Sequence, residues 1–145
     1  MIIYLDTSAL IKMYIKEEGT EEIRRIIQQA NLVATSKVAY VEARAALSRL
    51  RREKHLNEKD YQLVKGSFQQ DWNSYLVIEL TDMVIKMGGE ITEKYALRGF
   101  GAIHLASALV LKKQVGQKVA AGCWDARLWD ALADNMEVTP ASRPG

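Results

Sequence analysis

The sequence predicts an α/β fold, a mostly parallel sheet of about four to five strands with helices on both faces. Three observations carry this expectation. Short runs rich in β-branched residues alternate with stretches whose apolar residues recur at spacings of three and four. The runs around Ile2–Leu5, Leu32–Thr35, Leu76–Leu80 and Lys118–Cys123 are largely apolar, which suits strands covered on both faces. The first and last of these lead into acids, Asp6 and Asp125, and open parallel sheets bind ligands beyond the carboxyl ends of their strands.

Length and composition are those of one ordinary globular unit. The chain has 145 residues, 48% of them hydrophobic and 26% charged. That is enough to bury a single core and too apolar for disorder. A single domain over 1–145 is expected, with about 140–145 as a frayed tail. The net charge of +2 says little about partners. No apolar run approaches the roughly 20 residues of a membrane span, and the amino terminus lacks the charged region of a signal peptide. A soluble, cytoplasmic protein with no membrane partner is the expectation. The single Cys123 has no partner for an internal disulfide, and its neighbours suggest a buried thiol in a reducing compartment.

The elements follow in order. Met1–Leu5 reads as a buried strand that ends in the polar turn Asp6-Thr7-Ser8, after which Leu10, Ile11, Met13 and Tyr14 show helical spacing. Gly19-Thr20-Glu21-Glu22 opens a surface helix carrying Ile23, Ile26 and Ile27, with acids favouring its amino-terminal dipole. Leu32–Thr35 is a second strand, and Ser36 caps a long helix from about Lys37 to Glu53. A turn at His55, Asn57 and Glu58 precedes a helix carrying Tyr61, Leu63, Val64 and Phe68, so the two form a helical hairpin. Leu76–Leu80 is the third strand, and Thr81 or Asp82 caps the next helix. Gly88-Gly89 is expected to break that helix, with a short one following at about Ile91–Leu97 and a second break at Arg98-Gly99. Phe100–Leu111, apolar nearly all round, is a core helix. Lys118–Cys123 is the fourth strand, a helix carries Leu128, Trp129 and Leu132, and Met136–Thr139 is a last short strand.

Several side chains admit both a structural and a chemical reading. Asp6, Thr7 or Ser8 can cap the next helix, or Asp6 can be a working carboxylate. Asp125 carries the same two readings at the fourth strand. Glu42 lies on the stripe formed by Ala39, Ala43, Ala46 and Leu50, at the core-facing edge. A carboxylate there needs a partner or a metal, because burying it alone is costly. Arg44, Arg49, Arg51, Arg52 and Lys54 form either a solvated helix face or a phosphate-tracking surface. Asp82 reads as a cap, His55 as a turn residue and His104 as a satisfied buried histidine.

At four places the chain resembles the PIN-domain ribonucleases, and in particular the VapC-type toxins of toxin–antitoxin pairs. These are Leu5-Asp6-Thr7-Ser8-Ala9-Leu10, Val41-Glu42-Ala43-Arg44-Ala45-Ala46-Leu47, Leu97-Arg98-Gly99 with Ala102-Ile103-His104-Leu105-Ala106, and Trp124-Asp125-Ala126-Arg127-Leu128. The resemblance implies a sandwiched parallel sheet, an RNA substrate, Mg²⁺ or Mn²⁺ as cofactor, a cognate antitoxin and a homodimer. Asp6, Glu42 and Asp125 match the family's first, second and fourth acids, and so stand as expected catalytic and metal-binding residues. Ser8 is expected to hydrogen-bond a neighbouring acid or a phosphate, and Arg44 and Arg49 to contact substrate.

One position departs from the pattern. Gly101 occupies the place of the family's third acid, which predicts impaired catalysis, and it also puts a helix-weakening glycine into a helical stretch. Clustered carboxylates repel one another unless a cation neutralises them, and oxygen ligands without Cys or His favour Mg²⁺ or Mn²⁺ over zinc. The alternative is a non-catalytic module whose helical hairpin binds an antitoxin or a sister subunit. A phosphatase acting through Asp6 is disfavoured, because Ser8 stands where such enzymes place their second acid.

Overall fold

The computed structural model describes all 145 residues. Its five strands are all parallel and run in the order β3-β2-β1-β4-β5. β1 (Ile2–Leu5) is central, flanked by β2 (Leu32–Ser36) and β4 (Val119–Gly122), with β3 (Leu76–Ile78) and β5 (Val138–Thr139) at the edges. After β1 the chain builds outward to β2 and β3, then returns to add β4 and β5 on the other side. The strand order therefore reverses between β1 and β4, and a crevice opens there beyond the carboxyl ends.

β1 is buried along its whole length because its residues serve two cores in alternation. Ile2 and Tyr4 pack against Val84, Leu105 and Leu128 on one face. Ile3 and Leu5 pack against Leu10, Ile23, Ala43 and Phe68 on the other. Each fully buried aliphatic side chain contributes about 1.5 to 3 kcal/mol, so the continuous apolar run is the sequence trace of a central strand.

One layer consists of α1 (Thr7–Leu10), which passes into a 3₁₀ turn at Ile11–Met13, α2 (Thr20–Gln29), α3 (Ala39–Arg52) and α4 (Glu58–Trp72). Gly19, before α2, has φ +92, and a Cβ there would come within 2.6 Å of the Trp124 ring, so both conformation and space require glycine. α3 starts two residues later than the spacing predicts. Ser36 completes β2 instead of opening the helix, although its hydroxyl still accepts the Val38 N–H at 3.3 Å. Asn57 caps α4 by accepting the Asp60 N–H at 2.8 Å. Tyr14 and Tyr75 join hydroxyls, and Tyr14 donates to Asp71 at 2.9 Å, which ties the turn after α1 to the end of α4.

The other layer holds α5 (Asp82–Lys94), α6 (Gly99–Gln114) and α7 (Ala126–Ala133). The expected break at Gly88-Gly89 and the separate helix at Ile91–Leu97 are both absent, since α5 is continuous through the glycines. Gly88 lets α5 approach α6 closely, and a Cβ there would sit 3.8 Å from the Ala102 carbonyl. Packing thus outweighs the propensity cost of about 1 kcal/mol per glycine. The second break holds, with Arg98 as the extended residue before α6. Beyond β5, Pro140 O accepts the Trp129 indole N–H at 2.9 Å and Arg143 pairs with Asp130 at 2.8 Å. No helix is long and apolar enough to cross a membrane.

Candidate active site

The turn after β1 places Asp6 just past the carboxyl end of the central strand, beside the strand reversal. Asp6 is 4% exposed and accepts from the Ser8 hydroxyl at 2.7 and 2.8 Å and from the Ala9 N–H at 3.0 Å. It therefore caps α1, one of the two roles its sequence position admits. The Cys123 thiol approaches its second oxygen at 3.3 Å. Burial raises the Asp6 pKa above the ordinary aspartate value, an effect partly opposed by His104 and these hydrogen bonds. Burial also pushes the Cys123 thiol up, beside the negative Asp6, so it is inert as a nucleophile.

Ser8 joins the first and fourth strand ends. Its hydroxyl donates to Asp6 and accepts the backbone N–H of Trp124 at 2.8 Å. Asp125, the next residue, caps α7 by accepting the Leu128 N–H at 3.0 Å through one oxygen. Its other oxygen takes no protein hydrogen bond.

Glu42 has the partner its position demanded. One carboxylate oxygen accepts from Thr7 Oγ1 at 2.6 Å and from His104 Nε2 at 2.8 Å. Burial pushes its pKa up, but the bonds from His104 and Thr7 outweigh that and leave it below the usual glutamate value. Tyr4 Oη lies 2.7 Å from His104 Nδ1 and is kept protonated by burial. The phenol therefore donates to Nδ1, which puts the imidazole proton on Nε2, facing Glu42. His104, 3% exposed, is the satisfied buried histidine expected, and its partners are site residues.

Glu42 and Asp125 line one cavity of about 750 Å³, together with Arg98, Phe100, Gly101 and Arg127. The other expected residues lie off it, the buried Asp6 among them. Ser8 faces Asp6, Arg44 donates to Tyr40 Oη at 3.0 Å, and Arg49 pairs with Glu53 at 2.7 Å. Arg98 and Arg127 were missed as cavity residues. Both lie within the motifs Leu97-Arg98-Gly99 and Trp124-Asp125-Ala126-Arg127-Leu128, but only the fold shows that they line one cavity.

No three His, Cys, Asp or Glu side chains gather tightly enough to cage a cation. The donors present still fit a hard divalent ion held by few protein ligands. Glu42 and Asp125 both line the cavity and each keeps one oxygen without a protein partner, and Mg²⁺ characteristically keeps several waters while using one or two carboxylates.

The chain belongs to the PIN domain family, whose model, described as PIN domain, matches residues 3–116. Among its relatives, Ribonuclease VapC45 of Mycobacterium tuberculosis (strain CDC 1551 / Oshkosh) is 33% identical over 141 residues, which cover 97% of this chain and 96% of that protein. A toxin–antitoxin complex from Klebsiella pneumoniae contains a chain of the same fold, with TM-score 0.68 and 12% identity over 97% of this chain and 98% of that one. M. tuberculosis VapC20, described as a sarcin-ricin loop cleaving toxin, superposes with TM-score 0.64 and 16% identity over 98% and 99% of the two chains.

Proposed function

We propose that this chain is a VapC-type endoribonuclease toxin that hydrolyses RNA phosphodiesters with Mg²⁺ or Mn²⁺ and is restrained by a cognate antitoxin. The observation that carries the reading is that Glu42 and Asp125, far apart in sequence, line one cavity at the strand reversal where Asp6 ends β1. Relatives named ribonucleases over nearly the whole length support it, as does the presence of the fold in a toxin–antitoxin complex. Such a toxin acts in the cytoplasm, where its RNA is.

Asp6, Glu42 and Asp125 would hold the ion. When bound, it lowers the pKa of a coordinated water and offsets charge on the phosphoryl oxygens. Ser8 fixes Asp6 by donating to its carboxylate while it is itself anchored by the Trp124 N–H. His104 and Thr7 hold one oxygen of Glu42, leaving the other for the cavity. Asp125 is steadied by capping α7. Gly101 supplies no carboxylate at the start of α6, and we propose that activity is lower than an acid at that position would give.

A second reading is favoured by the lack of a three-ligand cage: a non-catalytic module that engages an antitoxin or sister subunit through the α3–α4 hairpin. Val41 and Leu63 are exposed on those helices and suit such a contact, including a homodimer. The two readings separate in one experiment. The ribonuclease reading expects divalent-dependent cleavage of unstructured RNA, blocked by EDTA and by Asp6→Asn. Because Asp6 sits at the end of the central strand, Asp6→Asn should also weaken Mn²⁺ binding in calorimetry more than Asp125→Asn does. Absence of cleavage across structured and unstructured RNAs would leave the binding module standing.

A further inference from the structure

The cavity holds two kinds of charge that leave each other free. Arg98 and Arg127 line it, yet neither is in an ion pair or a side-chain hydrogen bond. Outside the cavity Arg24, Arg49, Arg51 and Arg143 face acids, while Arg25 and Arg52 stand in open solvent-facing positions without one. Glu42 and Asp125 share the cavity without pairing with either arginine, although opposite charges within about 4 Å would do so. The same wall bears Phe100, 57% exposed, a large ring held out of a core that has room for eight buried residues of the same helix. Isolated apolar residues are common on surfaces, but this one lines the same concave site as two unpaired guanidinium groups.

We propose that Arg98, Phe100 and Arg127 form the substrate subsite of the cavity, with the arginines taking phosphates of single-stranded RNA and Phe100 stacking a base. The proposal rests on the ribonuclease reading and extends it by assigning the substrate-binding residues. Guanidinium groups left free beside carboxylates suit an anion rather than a second cation, and their fork geometry matches phosphate oxygens. An exposed aromatic ring beside them suits an unpaired base, since bases within a duplex present no free face for stacking. This moves substrate binding from Arg44 and Arg49 on α3 to the amino-terminal ends of α6 and α7.

The test is fluorescence anisotropy with short fluorescein-labelled oligoadenylate and oligouridylate in EDTA, where cleavage is off, across a range of salt. Arg98→Gln and Arg127→Gln should each weaken binding and reduce the log–log salt slope by about 0.7, the value for one single-strand phosphate contact. Phe100→Ala should leave the slope unchanged and weaken oligoadenylate binding roughly tenfold, with a smaller loss for oligouridylate, because purines stack more strongly. Arg25→Gln, an exposed arginine of α2, is the control and should change neither measurement. Thermal denaturation of each variant verifies folding. If wild-type protein cleaves RNA with Mn²⁺ but the three cavity variants bind like the control, the subsite is overturned and the ribonuclease reading survives. If wild-type protein neither binds nor cleaves RNA, both fall. Binding lost equally in the three variants and the control also overturns the subsite.

Discussion

At the scale of single residues, the site depends on one imidazole with both nitrogens engaged. His104 receives the Tyr4 hydroxyl on Nδ1 and donates from Nε2 to Glu42. His104→Ala would strand a buried phenol and a half-buried carboxylate and leave a void, so it should destabilise the fold by about 3 kcal/mol in urea titrations. Tyr4→Phe removes only the donor and should cost about 1 kcal/mol. Equal losses would contradict a directed chain from Tyr4 through His104 to Glu42. Glu42 was legible in the sequence because a carboxylate on a stripe of alanines needs an explanation. Its partner was not legible, since His104 lies 62 residues away and only the packing of α6 against the sheet joins them. Asp6 and Asp125 were legible as acids following strands, and both cap the helix that comes next, the structural one of their two readings.

At the scale of elements, the start of α6 is the place to intervene. A Cβ at Gly101 would meet only Leu97, at an ordinary 3.8 Å, so the first turn accepts a side chain without repacking. Gly101→Asp should raise Mn²⁺ affinity and RNA cleavage, and in the metal-loaded protein it should add stability through helix propensity, worth about 0.5 to 1 kcal/mol, and through ligand linkage. Calorimetry, cleavage assays and melting curves check the three effects, and unchanged metal affinity would show that this position is no ligand site. A different prediction concerns the junction of the 3₁₀ turn with α4. Burial raises the Tyr75 pKa to about 12 from its ordinary value near 10, beside the negative Asp71. The folded protein thus keeps a proton that the unfolded chain has lost, and stability falls as pH rises from about 10 towards 12. Tyr75→Phe forfeits a hydrogen bond at pH 8 but escapes this penalty, so its deficit in Tm should narrow above pH 10. A deficit independent of pH would mean that Tyr75 titrates normally. The helices also show where local signals mislead: Gly88-Gly89 reads as a break because propensity is local, while the close approach of α5 to α6 that glycine permits is not.

At the scale of the whole molecule, the parallel sheet, its two covered faces and most helix starts were legible because burial on both sides leaves unbroken apolar runs. Strand order was not, because nothing in Ile2–Leu5 or Val119–Gly122 says that they are neighbours. That pairing sets the turns bearing Asp6 and Asp125 side by side, and the cavity beyond them is lined by Arg98 and Arg127. The reversal of strand order has a mechanical consequence through Ser8. Its hydroxyl bridges the Asp6 carboxylate and the Trp124 amide, so the two acid-bearing turns are bolted together before any ion arrives. The Trp124 amide proton can reach solvent only when that bolt opens. In deuterated water it therefore serves as a built-in clock for the parting of β1 and β4 at the crevice, running without a label and without turnover.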